Sequence, residues 1–157
     1  MSELEIGQLA PDFELPTDSG TKVTLSGLKG KWVVVYFYPK ADTSGCTNQA
    51  IAFTQHLEKF AQSGCEVIGI SKDTIESHKK FKAKYDLGVT LASDFGTTIS
   101  ETYGVWVEKS MYGRNYLGLE RTSFLIDPNQ YIAHIWRKVK VQGHVEAVLT
   151  AVKALKS

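Results

Sequence analysis

The sequence predicts an α/β fold, a mixed central sheet flanked by helices with an N-terminal β-hairpin. Three observations carry this. Trp32-Val33-Val34-Val35-Tyr36-Phe37-Tyr38 is an unbroken run of β-branched and aromatic residues, the pattern of a strand buried on both faces. A second such run, Glu66–Ser71, follows a stretch whose apolar residues recur at helical spacing, so strand, helix and strand make a parallel pair. The chain then ends in a hairpin pattern followed by an amphipathic one.

In chain order, Phe13-Glu14-Leu15 and Lys22–Leu25 flank Asp18-Ser19-Gly20, which predicts the first hairpin. The run from Trp32 is ended by Pro39. After a polar loop, Ala50, Phe53, Leu57 and Phe60 share one helical phase with Cys46, and Ser63-Gly64 closes the helix. Asp73 and Glu76 stand at capping-box spacing before a helix that turns Ile75, His78, Phe81 and Tyr85 inward. A weaker strand at Val89–Leu91 and a short helix near Thr98–Tyr103 follow. Phe124–Ile126 and Tyr131–Trp136 bracket the turn Asp127-Pro128-Asn129-Gln130, and Val145, Val148, Leu149, Val152 and Leu155 line the inner face of a last helix. βαβ units, then a hairpin, then a helix form a thioredoxin-like arrangement. With no repeat, low-complexity tract or linker, residues 1–157 read as one domain, long enough to bury a core without metal or disulfide.

Composition narrows the function classes. Hydrophobic residues make up 43% and charged residues 22%, with 18 basic against 17 acidic side chains and a net charge of +1. No basic excess points to nucleic acid or a membrane surface. No stretch approaches the roughly 18 apolar residues of a membrane span, and the acidic start Met1-Ser2-Glu3-Leu4-Glu5 lacks the order of a signal peptide. The expected location is the cytoplasm. The two cysteines, Cys46 and Cys65, are too few for a disulfide framework or a Cys-rich zinc site, and no other ligand cluster is evident.

Chemistry concentrates in Tyr38-Pro39-Lys40-Ala41-Asp42-Thr43-Ser44-Gly45-Cys46-Thr47, which joins the carboxyl end of a buried strand to the start of a long helix. Ligands of open α/β sheets bind at such ends. With Thr43 as N-cap, Cys46 is the third helical residue, beside unpaired N–H groups and the positive end of the helix dipole. That setting stabilises a thiolate, the nucleophilic form. The alternative is that Cys46 only begins the apolar stripe and packs. Cys65 opens a strand after Gly64 and reads as a core thiol. About 17 helical residues, roughly 25 Å, separate the two cysteines, whereas a disulfide spans at most about 7 Å between Cα atoms. On pattern alone Arg121 is a surface arginine at a strand entry and Thr43 a helix cap. Arg114, Arg137 and the histidines have no motif: His56 and His144 read as solvated helix positions, His78 and His134 as packed or edge residues. A hydrolase or acyltransferase would need a His–acid pair beside Cys46, which the sequence does not offer; a thioredoxin-like binding module with a structural Cys46 is the other alternative.

The string Val35–Thr47 resembles the peroxidatic segment of peroxiredoxins, closest to the Q-type or bacterioferritin comigratory protein group. The pattern Pro-x-x-x-Thr/Ser-x-x-Cys is met by Pro39, Thr43 and Cys46. The likeness continues through Val67–Ser71, Gly104-Val105-Trp106 with Glu108-Lys109, and Arg121–Asp127, covering nearly the whole chain. It implies a thiol peroxidase acting on hydrogen peroxide or organic hydroperoxides. Cys46 would be the peroxidatic cysteine, Thr43 would bond the peroxide, Arg121 would bring positive charge to sulfur and leaving oxygen, and Pro39 would shield the site from water. No metal or organic cofactor is implied, and the group favours a monomer.

Three departures matter. Ser44 replaces the proline usual after the motif threonine. Many members carry a resolving cysteine five residues beyond the peroxidatic one, where this chain has Ile51; others carry it in the next helix, at a position matching Lys82, read here as a solvated charge. The chain therefore reads as a one-cysteine enzyme whose sulfenic acid is resolved by an external thiol: glutathione, thioredoxin or glutaredoxin. Overoxidation should follow readily. Met111-Tyr112-Gly113 and Trp106 are candidates for an apolar approach to the site, or for plain packing.

Overall fold

The computed structural model describes residues 4–156; the first three residues of the acidic start lie outside them. The hairpin is present: β1 (Glu14–Pro16) pairs antiparallel with β2 (Lys22–Thr24). β3 (Trp32–Phe37) leads through the polar loop to α1 (Ser44–Gln62), β4 (Cys65–Ser71), α2 (Ile75–Tyr85), β5 (Thr90–Ser93) and the short α3 (Ile99–Thr102). β6 (Trp106–Met111), β7 (Arg114–Leu119), β8 (Thr122–Ile126), β9 (Ile132–Trp136) and α4 (His144–Lys156) complete the described chain. The main sheet has the order β5-β4-β3-β8-β9. β3, β4 and β5 run parallel, whereas β8 and β9 are antiparallel additions.

β3 is the middle strand, and alternation along it sorts the core into two layers. Val34, Tyr36 and Tyr38 face Ala50, Phe53 and Phe60 of α1, Phe81 of α2 and Val148 and Val152 of α4. Val33, Val35 and Phe37 face the other way, toward Leu15 and Leu25 of the hairpin region, Tyr103 after α3 and Phe124 of β8. The three long helices thus share one face, and the hairpin, α3 and adjoining loops cover the other. Phe53 is fully buried and stacks on Tyr36 at 4.5 Å; burying a side chain of this size contributes roughly 1.5–3 kcal/mol. This packing fixes the start of α1 at the carboxyl end of β3.

Several expectations are corrected. The N-cap of α2 is Thr74, whose hydroxyl accepts from Ser77 N, rather than Asp73; Asp73 instead accepts from Ala41 N at 2.8 Å and from Ser71 Oγ at 2.6 Å. Leu155 lies in the last turn of α4 and is 48% exposed. His144 is buried, with Nε2 2.8 Å from Ser123 Oγ, and His56 is half-buried with Nδ1 2.8 Å from Ala52 O. Lys82 is no free charge: its Nζ pairs with the buried Asp18 at 2.8 Å. The β6–β7 hairpin escapes the sequence reading because its two strands are mostly exposed and lack a strong apolar alternation. Its signal was Tyr112-Gly113, whose φ angles of 52° and 76° make the tight reversal.

Candidate active site

The helix start at Cys46 is built locally. Asp42 takes a left-handed φ of 63°, turning the chain so that Thr43, extended at φ −91°, ψ 156°, becomes the N-cap. Thr47 N donates to Thr43 O at 2.8 Å, opening the helical ladder. The Thr43 hydroxyl does not cap the helix. It donates to Lys40 O at 2.8 Å, so the first turn of α1 has no side-chain cap and the hydroxyl keeps lone pairs to accept another donor. Cys46, third in the helix, is 1% exposed.

Arg121 stands between β7 and β8 and reaches this turn from the neighbouring strand. Its Nη2 lies 3.3 Å from Cys46 Sγ, and its Nη1 donates to Gln49 Oε1 at 2.5 Å. The structure thereby turns the arginine that pattern alone would leave on the surface into a partner of the thiol. Gln49, fully buried, was missed by the sequence reading. Its signal was spacing: it stands three residues after Cys46 and so shares its helical face. Pro39 stands two residues beyond the end of β3 and is exposed.

Gly45 leaves the space that Arg121 occupies. A Cβ there would stand 3.1 Å from Nη2, and the guanidinium is already held on both sides. Gly45→Ala should therefore separate two effects: helix propensity improves by up to about 1 kcal/mol, while displacement of Nη2 from Cys46 Sγ changes the reactivity of the thiol. Thermal melting and the rate of Cys46 alkylation check the pair; a wild-type alkylation rate with raised melting temperature would show that Arg121 moves freely.

Burial holds the titratable groups around Tyr36 and α4 in their neutral forms, while Arg121 faces the thiol. Burial, and then Arg121, hold His144 down to about 4, so it is neutral near pH 7. Burial also lowers His78. Burial keeps the Tyr36 phenol protonated. His78 Nε2 lies 2.8 Å from Ser71 Oγ and 3.1 Å from Tyr38 OH, and His144 Nε2 lies 2.8 Å from Ser123 Oγ; among the described residues the hydrogen-bond partner of Cys46 Sγ is Arg121. Cys65 is buried at the first residue of β4, and burial pushes its thiol up to about 12. Both cysteines are free. Trp106 packs into the second core layer with Lys72 Nζ 5.2 Å over its ring. Met111 and Tyr112 line an open hollow of about 600 Å³ on the β6–β7 hairpin, with Arg114, Asn115 and Tyr116; that lining includes none of the residues around Cys46. Among the described residues, no helix is long and apolar enough to cross a membrane.

A strand-to-helix junction presenting a buried thiol to a guanidinium, on a thioredoxin-like sheet, defines the class of thiol-dependent redox enzymes. Residues 6–135 match the AhpC/TSA family, and the chain belongs to it. It is 50% identical over 146 residues to the putative peroxiredoxin bcp of Coxiella burnetii, covering 93% of this chain and 97% of that one. It is 45% identical over 150 residues to peroxiredoxin Bcp of Bacillus subtilis, covering 96% of each. A cysteine-to-serine variant of Xylella fastidiosa PrxQ superposes with a TM-score of 0.94 at 36% identity over the full length of both chains. The Xanthomonas campestris bacterioferritin comigratory protein superposes with a TM-score of 0.91 at 38% identity, covering 98% of this chain and 100% of that one. The protein is an enzyme of the peroxiredoxin class, a thiol peroxidase.

Proposed function

We propose that the protein reduces hydrogen peroxide and organic hydroperoxides by a one-cysteine mechanism at Cys46, with an external thiol completing the cycle. The observation that carries the peroxidatic assignment is Arg121 Nη2 at 3.3 Å from Cys46 Sγ in the uncapped first turn of α1. The Cys46 thiolate attacks one peroxide oxygen; the S–O bond forms as the O–O bond breaks. The departing oxygen gains the negative charge and takes up a proton, leaving as water or an alcohol. Arg121 and the first-turn N–H groups face the charge that develops, and fixed donors of this kind lower the barrier without reorganisation. The Thr43 hydroxyl, its proton given to Lys40 O, accepts from the hydroperoxide O–H and orients it. Pro39, exposed in the loop between β3 and α1, limits entry of water. A relative, the Xanthomonas campestris protein, is described by its alkyl peroxide reduction activity, which supports organic hydroperoxides as substrates.

The resolving step is assigned outside the chain. Cys65 stands beyond the far end of the 19-residue α1, buried, with its thiol pushed up to about 12. The Xanthomonas campestris peroxiredoxin Q has been solved with each of two cysteines replaced by serine, and these stand 36 positions apart. The same separation beyond Cys46 falls on Lys82, whose charge is tied to Asp18. One molecule of thioredoxin, glutaredoxin or glutathione then attacks the sulfenic acid, releasing water and forming a mixed disulfide that a second thiol reduces. The single domain is read as a monomer, as the resemblance to the Q-type group implies, and dependence on such thiols suits the cytoplasm.

Cys65→Ser should turn over at the wild-type rate with the preferred reductant. Intact mass after excess peroxide without thiol should show a sulfinic Cys46 in both proteins, whereas one equivalent of peroxide followed by glutathione should trap the sulfenic acid as a mixed disulfide on Cys46. Loss of turnover in Cys65→Ser, or a Cys46–Cys65 disulfide in the wild type, would overturn the one-cysteine cycle.

A further inference from the structure

The loop that carries Thr43 and Cys46 is gripped from the α2 side at two consecutive residues. Ala41 N donates to Asp73 Oδ2 at 2.8 Å, in the turn that precedes α2. One residue on, the Asp42 carboxylate accepts from Tyr85 OH at 2.6 Å, and Lys84 Nζ approaches its two oxygens at 2.9 and 3.2 Å. Lys84 and Tyr85 are the last two residues of α2. Tyr85 is itself anchored, packing edge-on against the buried Phe81 with ring centroids 5.7 Å apart.

The grip falls where the backbone needs it. Asp42 has φ 63°, a left-handed conformation that few L-residues adopt readily and that aspartate tolerates better than most. This turn aims Thr43 into the N-cap and so sets the phase of the first turn of α1, Cys46 included. The hydrogen bond from Tyr85, together with Lys84, holds the Asp42 carboxyl below its ordinary range, so it stays ionised and bound. An exposed ion pair of this kind adds little to global stability. Its effect is geometric, since reaction requires sulfur, hydroxyl and guanidinium aligned on one peroxide.

We propose that Asp42 is a positioning residue for the peroxidatic reaction. Clamped by Lys84 and Tyr85, it fixes the turn that sets the Thr43 hydroxyl and the Cys46 sulfur against Arg121. The helix in which some relatives place a resolving cysteine serves this chain as a brace for the reacting loop. The proposal rests on Cys46 being the peroxidatic thiol.

The test compares two rate constants in each protein: reaction with hydrogen peroxide, which needs the full alignment, and alkylation of Cys46 by iodoacetamide, which needs only a reachable thiolate. Asp42→Gly removes the clamp yet accepts the left-handed φ without strain. Tyr85→Phe removes one bond and leaves the loop untouched. We expect the peroxide constant to fall about tenfold in Asp42→Gly and less in Tyr85→Phe, with the double variant no worse than Asp42→Gly alone. Alkylation should not fall in any of them, and melting temperatures should stay close to wild type. Asp42→Asn, which still accepts from Tyr85 but has no charge for Lys84, should be intermediate. Glu66→Gln, which breaks the exposed Lys31–Glu66 pair remote from the loop, should match wild type. Wild-type peroxide rates in Asp42→Gly and Tyr85→Phe would overturn the clamp, as would additive losses or a parallel fall in alkylation. A wild-type protein that consumes no peroxide would instead overturn the peroxidatic assignment.

Discussion

Cys46→Ser should abolish peroxide consumption with every thiol reductant, a loss of at least about 10⁴-fold. The substitution changes almost nothing but the nucleophile. Serine fits the space of the buried cysteine, retains a donor and acceptor for Arg121, and stays in the same helical turn. What disappears is the thiolate: an alcohol at neutral pH is neither ionised nor polarisable enough to attack a peroxide O–O bond. Stopped-flow peroxide consumption measures the loss directly, and the folded state is checked by an unchanged circular dichroism spectrum. A sulfenic-acid probe should label Cys46 in wild type and nothing in the variant. Residual turnover above the uncatalysed thiol–peroxide reaction would remove Cys46 from the centre of the mechanism.

Arg121→Ala should cost about 10²–10³-fold in the peroxide rate constant, the range seen when one preorganised donor to a developing oxyanion is removed. The geometry explains why the effect should exceed that of an ordinary surface arginine. One guanidinium bridges Cys46 Sγ at 3.3 Å and Gln49 Oε1 at 2.5 Å, so its planar fork is fixed before substrate arrives. Truncation also leaves the buried Gln49 carbonyl without its partner, an added cost of roughly 1–3 kcal/mol in stability. Arg121→Lys keeps the charge but cannot span both partners with one nitrogen, so it should recover only part of the loss. Peroxide kinetics and chemical denaturation on the two variants separate these contributions. If Arg121→Lys matched wild type, charge alone would suffice and the bridge to Gln49 would be irrelevant.

Much of this was legible in the residues. The run Trp32–Phe37 could only be a strand shielded on both faces, and it is the middle strand of the main sheet. Apolar phase from Cys46 to Phe60 set α1, and the strand-to-helix junction put Cys46 in its first turn. The likeness of Pro39, Thr43 and Cys46 to the peroxiredoxin pattern agreed with that placement, and the family match followed. The errors have physical reasons. Thr74, one residue after Asp73, won the α2 cap because Asp73 was drawn to Ala41 N across the loop. His144 had the pattern of a solvated helix start, but β8 lies beneath it and Ser123 takes its ring.

What the sequence by itself determined were the local preferences: which segments alternate, which follow helical phase, and where a thiol sits relative to the start of a helix. These depend on neighbours within a few residues and are read along the chain. What only the tertiary structure decided were the partners. Arg121 and Cys46 are 75 residues apart, Asp42 and Tyr85 are 43 apart, and Lys82 and Asp18 are 64 apart. Each pair meets because β3 and β8 are adjacent strands or because α2 folds back over the first core layer. Contacts of that kind are fixed by the packing of buried faces, where the side chains that finally touch contribute little to the pattern that brought them together.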